Sequence, residues 1–355
     1  MPDDPRPIAK VAAVVRRWLL PWLAIAYVLA GFAPAAGLWL RDLSYGDWGP
    51  GGEPARFSLW MVAVLLINGA VMSDPRRLRE LMTRPGALVL GLSASWIAPL
   101  ALVFVVTPFL RAFLSTNDAA AVSLGLALAA AMPVANSAVA WTHQSDGSIP
   151  WALGLVIVSI GLCPWVAPLL LGLMGMTLSA AQAAAAEVVV VRATGYVFLV
   201  WVLAPTAVGL VAGQLLGPAG RRHVGPWLAV VSAAALLLLN YANASAALPQ
   251  IVADPKADPI FAALLSAATL PIVGALSGWA LAPRVSLSHR ARVAWAYSLG
   301  MKNTGLALGL AGALLGDAPF AVLVILLVTL LQHGVAGFVH SVGARSPHVA
   351  DTAAG

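Results

Sequence analysis

Apolar residues run through this chain in ten stretches long enough to cross a bilayer, and polar positions fall mostly between them. The runs are Trp18–Leu40, Phe57–Ser73, Gly86–Leu110, Ala120–Thr142, Trp151–Met176, Val188–Leu216, Trp227–Leu248, Pro259–Ala282, Val293–Leu315 and Phe320–Val342. The breaks, such as RDLSYGDWGPGGEPAR, HQSDGS and GPAGRRHV, are too short to hold a soluble domain. The pattern predicts an all-α polytopic protein with ten transmembrane helices in one membrane domain over residues 18–342. An N-terminal tail, residues 1–17, and a C-terminal tail, residues 343–355, flank it.

One run breaks its own pattern. Ser298–Leu310, reading SLGMKNTGLALGL, places Ser298, Lys302, Asn303 and Thr304 inside the ninth span. Lys302 lies nine residues in from Val293. At about 1.5 Å per residue that is roughly 13 Å deep, near the middle of a hydrocarbon core about 30 Å thick. A lysine side chain reaches about 6 Å, too little to bring its amine to an interface from there unless the ninth helix is shifted by a turn. No acid stands near it in sequence: all 14 Asp and Glu fall in tails, loops or helix ends.

Composition narrows the class further. The 355 residues are 61% hydrophobic and 10% charged, where a soluble domain carries about a quarter charged residues. The net charge of +6 does not indicate a nucleic-acid partner, because the basic residues cluster in alternate loops between apolar runs. Fourteen of the 20 Lys and Arg, from Arg6 to Arg345, fall on one side and five on the other, leaving Lys302 inside. The imbalance predicts both termini in the cytoplasm of a plasma (bacterial inner) membrane, and an even number of spans agrees. The acidic start, MPDDPRPIAKVAAVVRRW, reads as a retained tail and not as a cleaved signal. The single cysteine, Cys163, lies in an apolar run, so disulfides are excluded and it reads as buried filler.

The two halves match. The starts of runs one to five and six to ten pair at offsets of about 169 to 173 residues, which predicts two five-helix repeats, about 18–176 and 188–342. Five spans per repeat is odd, so the second is inverted. Within them MPVANSAVAW (Met132–Trp141) faces GMKNTGLALG (Gly300–Gly309), each with Asn and a hydroxyl residue at mid-helix. Pro133 removes a backbone donor from one, and Gly300 and Gly305 loosen the other, so both helices are expected to break.

At these residues the chain resembles the bile acid:sodium symporter family. GMKNTGLALGL is similar to its ninth-helix pattern of Gly-Met-Gln-Asn followed by small and apolar residues, and PVANSAVAWTHQSDG to its fourth-helix stretch from a proline to a loop glycine. The resemblance implies helices four and nine broken and crossing. It also implies a panel domain of helices one, two, six and seven against a core domain of the other six. It implies a small organic anion as substrate, held between panel and core at the positive ends of the broken helices. The matching positions are Asn136, Ser137, Asn303 and Thr304.

Two sodium ions bind behind that crossing in the family, and here their ligands are replaced. The alignment puts Ser298 at the sodium-binding glutamate, Lys302 at the glutamine, Ala138 and Val139 at a Ser-Asn pair, and Ala152 and Val156 at hydroxyl ligands. Hard cations need oxygen donors, which alanine and valine side chains lack. The expectation is that no sodium or other cofactor is bound and that the Lys302 ammonium takes the ion's place, either fixed or titrating and so proton-coupled.

Other polar residues in the spans are open to a lining or a packing role. Asn68 and Asn240 are candidates for the crevice wall, and Gln332 and His333 invite a proton relay. VAWTHQSDG is also similar to arsenite-efflux carriers, but the cysteine and ninth-helix acid of those proteins are missing. A scaffold or sensor that kept the fold without coupling is the rival from another class. No nucleophile-base set, phosphate loop or metal cluster points to an enzyme. The expected partners are the organic anion and the lipid bilayer.

Overall fold

The computed structural model describes residues 7–47, 55–73, 81, 83–175, 198–311 and 318–343. The start of the sixth run (188–197), residues 312–315 of the ninth, and tail residues 1–6 and 344–355 lie outside them. Among the described residues the elements are helices apart from one two-residue ladder and one isolated bridge. Its helices are α1 (Pro7–Arg17), α2 (Leu19–Phe32), α3 (Ala35–Asp42), α4 (Phe57–Val71), α5 (Pro85–Phe113), α6 (Thr116–Ala131), α7 (Ser137–Gln144) and α8 (Ile149–Gly175). A π turn (Leu199–Leu203) leads into α9 (Ala204–Ala253), followed by α10 (Ala257–Leu281), α11 (His289–Gly300), α12 (Thr304–Ala311) and α13 (Pro319–Gly343). Strands β1 (Ser44–Tyr45) and β2 (Ala55–Arg56) pair antiparallel in the loop before α4.

Among the described residues five helices are long and apolar enough to cross a membrane, or six if bent α1 and α2 are one span. The difference from ten has local causes. The fourth and ninth runs are each divided into two half-helices, and the second is only 15 residues long. Pro34 ends α2 and forces Ala33 out of helical geometry, which splits the first run into α2 and α3. The sixth and seventh runs follow one another in α9, which is two helices meeting at Gly217, where the backbone leaves helical geometry (φ 63, ψ −176) in a conformation that suits glycine. The chain turns back there: Gly213 before the break lies on Val71 of α4, and Ser232 after it bonds Asn68 of the same helix, so the polar GPAGRRHV segment holds the expected break between the two runs. Within the expected tail 1–17, residues 7–17 form α1, which meets α2 at 61°.

Lipid gives helices no hydrophobic reason to associate, so close backbone approach has to hold them together. Two glycine pairs at i, i+4 provide it. On α9, a Cβ at Gly209 or Gly213 would collide with the carbonyls of Ile67 or Val71 on α4. On α10, a Cβ at Gly274 or Gly278 would collide with the carbonyls of Leu299 or Trp295 on α11. The second pair fixes α11, and with it the start of the ninth-span break. α6 is the innermost element: from Val122 to Ala131 every side chain is buried.

Gly274→Ala is expected to destabilise the fold by about 1–3 kcal/mol, the usual result of overpacking. Gly161 of α8 has nothing within 4 Å of where a Cβ would sit, so Gly161→Ala is expected to be neutral or up to about 1 kcal/mol stabilising. Thermal unfolding of the two variants in detergent compares them directly.

Candidate functional site

The fourth span breaks after Ala131. Met132 precedes a proline and is extended (φ −68, ψ 153), and helix resumes at Ser137. The ninth breaks after Gly300, where Met301 is extended (φ −121, ψ 119), and resumes at Thr304. The two breaks lie side by side and antiparallel, with Val134 bridged to Lys302. Ala135 N–H donates to Met301 O at 3.0 Å, and Asn303 N–H donates to Pro133 O at 2.9 Å. Adding 168 to the first-half residue and subtracting 168 from the second-half residue turns one of these bonds into the other.

The two central amides point away from each other and find side chains. Val134 N–H donates to Ser159 Oγ of α8 at 3.1 Å, and the Ser159 hydroxyl donates on to Val156 O. Lys302 N–H donates to Gln332 Oε1 of α13 at 3.0 Å. Ser159 and Gln332 stand 173 residues apart, inside the range of offsets between the runs. This bonding supplies partners for backbone that has left the helix in an apolar interior. The bridge keeps the offset of the two stretches, 168 residues, and at that register Asn136 corresponds to Thr304 and Ala135 to Asn303, so the two asparagines are not equivalents. Backbone pairing, not side-chain type, sets that register.

Lys302 is 2% exposed. Its Nζ donates to the carbonyls of Ser95 on α5 and of Met132, the latter at 3.2 Å, and lies 6.0 Å from the centre of the Trp96 ring. Among the described residues no carboxylate pairs with it. Both carbonyls are orphans by construction. Pro99, four residues after Ser95 inside α5, has no N–H to donate back to it. Met132 follows the end of α6, where unpaired carbonyls and the negative pole of the helix dipole collect. An ammonium is thus held by two oxygens that the helices cannot use.

The remaining expected residues divide. Asn303 Oδ1 accepts from Leu306 N–H at 3.0 Å and so caps α12. Buried Thr304 receives the hydroxyl of Thr329 at 2.8 Å. Asn136, half-buried at the start of α7, makes no side-chain cap, and its Nδ2 packs on Gly69 of α4 where a Cβ would collide. Ser137 beside it is half-buried. Ser298 is fully buried, and its hydroxyl has no partner among the described residues. These residues sit at or beside the crossing.

Asn68, Asn240 and His333 lie elsewhere. Asn68 Nδ2 donates to Ser232 Oγ at 3.1 Å, and Asn240 Oδ1 accepts from the Tyr27 hydroxyl at 2.8 Å. His333 Nδ1 accepts from Trp141 Nε1 at 3.2 Å. An indole N–H is only a donor, so no proton passes along that bond. Four participants were missed in the sequence: Ser95, Met132, Ser159 and the backbone-binding role of Gln332. Pro99 was the available signal, because a proline inside a span announces an orphan carbonyl four residues before it.

The chain is thus a bundle of apolar helices with two of them interrupted and cross-bonded at one point around a buried lysine, and its family is one of integral membrane transporters. The family model for the SBF-like CPA transporter family matches residues 17–346, and the chain belongs to that bile acid:sodium symporter-like family. No individual curated protein matches the chain significantly.

Ser159→Ala and Gln332→Leu each leave a buried amide without an acceptor and are expected to cost about 1–3 kcal/mol. Ser277, whose hydroxyl only returns to Val273 O of its own helix, is the control. A fall in thermal midpoint for the first two but not for Ser277→Ala checks the assignment.

Proposed function

We propose that the chain is a secondary transporter that moves a small organic anion, such as a carboxylate, by alternating access without sodium. In this reading it has ten spans in two inverted five-helix repeats, with panel and core domains and cytoplasmic termini. The 168-residue exchange of backbone bonds at the crossing, and the matched roles of Ser159 and Gln332, support the repeats.

One observation carries the coupling reading: the Lys302 ammonium rests on the Ser95 and Met132 carbonyls. A bound cation would neutralise the same oxygens. The tethered ammonium does so without an ion being taken from solution, while the family's side-chain sodium ligands are replaced by Ser298, Ala138, Val139, Ala152 and Val156. An ammonium fixed through the cycle makes the protein a facilitator or exchanger, and one that gives up its proton makes it proton-coupled. The anion would meet the positive ends of α7 and α12, next to Asn136, Ser137, Asn303 and Thr304.

Uptake of a panel of radiolabelled carboxylates into proteoliposomes tests this with sodium replaced by choline. Wild-type uptake is expected to be the same in both salts, and Lys302→Gln to lose about tenfold or more, since a neutral amide replaces the charge-assisted bonds to two buried carbonyls, a loss of about 1 kcal/mol or more at each. Strict dependence of the wild type on sodium would sink the tethered-cation reading. Folded wild type that takes up no member of the panel would favour the scaffold.

A further inference from the structure

Around the crossing, one buried chain of polar groups joins elements on both sides of the molecule. Tyr27 on α2 aims its hydroxyl at Asn240 Oδ1 of α9, 2.8 Å away, and at Leu326 O of α13, 3.1 Å away. The Asn240 amide is oriented by a second bond from its Nδ2 to Leu236 O at 2.8 Å. One turn along α13 from Leu326, the Thr329 hydroxyl reaches Thr304 Oγ1 at 2.8 Å and Ile325 O of its own helix at 2.9 Å. Thr304 N–H donates to the carbonyl of Lys302 at 2.8 Å. Asn240, Thr329 and Thr304 are all buried, at 0%, 1% and 3% exposure. The chain runs from the seventh span through the first and tenth to the backbone of the buried lysine.

Its placement is what gives it consequence. Tyr27 and Asn240 belong to the first and seventh spans, which fall to the panel in the reading proposed above. Leu326, Thr329 and Thr304 belong to the tenth and ninth, which fall to the core. The helices meet here mainly through apolar side chains, which slide over one another at little cost. A hydroxyl held between an amide on one side and a carbonyl on the other has a defined direction, and in an apolar interior each unmet partner is penalised.

We infer that Tyr27 is a positioning residue: its hydroxyl ties the panel helices to the ninth-span break through α13, whose Leu326 carbonyl it meets and whose Thr329 reaches Thr304, so the segment carrying Lys302 is held in register only while this contact is made. Its role as a latch between two transport states rests on the transporter reading. The tie itself does not.

Hydrogen–deuterium exchange of the full-length protein in nanodiscs, read by mass spectrometry, tests it without any substrate. Tyr27→Phe keeps the ring and removes only the hydroxyl. Peptides covering residues 301–311 are expected to exchange about fivefold faster than in wild type, the factor that corresponds to a buried hydrogen bond of about 1 kcal/mol. Peptides in α5 and α8 are expected to stay unchanged. Thr329→Val, which breaks the chain one link further on, is expected to give the same increase, and the double variant no more than either single one. Thr329→Val also carries the test if Tyr27→Phe does not fold. Unchanged exchange over 301–311 overturns the inference, and so does a faster rate confined to α2 and α9, which a local packing role would give. Additive effects of the two substitutions would overturn it as well. Because no transport is measured, a chain that proves not to carry carboxylates fails the functional proposal and leaves this one standing.

Discussion

Lipid offers no hydrogen bonds, so each backbone amide and carbonyl that leaves a helix in the membrane needs a partner supplied by the protein. The organisation around the crossing answers that requirement. Two helices open at Met132–Asn136 and Met301–Asn303, and the freed amides are met by the opposite strand, by Ser159 and by Gln332. A charge enters on the same terms. Lys302 is tolerated because two carbonyls stranded by Pro99 and by the end of α6 accept from it. The lysine and the broken backbone each resolve the other's problem, and neither would be stable alone in an apolar interior.

This constraint also explains how tightly the surroundings are built. α6 is buried along its inner half because the break begins at its end. α11 is pressed onto α10 through Gly274 and Gly278 with no room for a methyl group, which fixes where Met301 starts. α4 lies against the other face, with Gly69 beside Asn136, and is itself joined to α9 through Gly209 and Gly213. Small residues thus do in lipid what large apolar ones do in a water-soluble core: they bring backbones close enough for dispersion to act.

Much of this was legible in the sequence, and the boundary between legible and hidden is physical. Apolar run length marked the helices long enough to cross a membrane, because the thickness of the bilayer sets it, but it did not show where a run is divided, as the first, fourth and ninth are. Pro133 with Gly300 and Gly305 marked both breaks, and the depth of Lys302 marked the site. Hidden were the partners that come from distant spans. Nothing local in Ser159 says that its hydroxyl meets the Val134 amide, and nothing in Ser95 says that its carbonyl meets an ammonium from 207 residues away. GPAGRRHV interrupts helical geometry at Gly217, and residues 7–17 of the expected tail form α1, a helix that composition alone did not mark.

Pro99 gains a different significance from its link to Lys302. A proline inside a spanning helix is usually read through the bend it introduces, but here its missing N–H leaves an oxygen available to a side chain from the opposite half of the chain. Replacing the proline would return that oxygen to its own helix and leave the ammonium competing for it. Replacing the lysine would leave the oxygen bare. The two positions are therefore coupled through a backbone oxygen that belongs to neither of them.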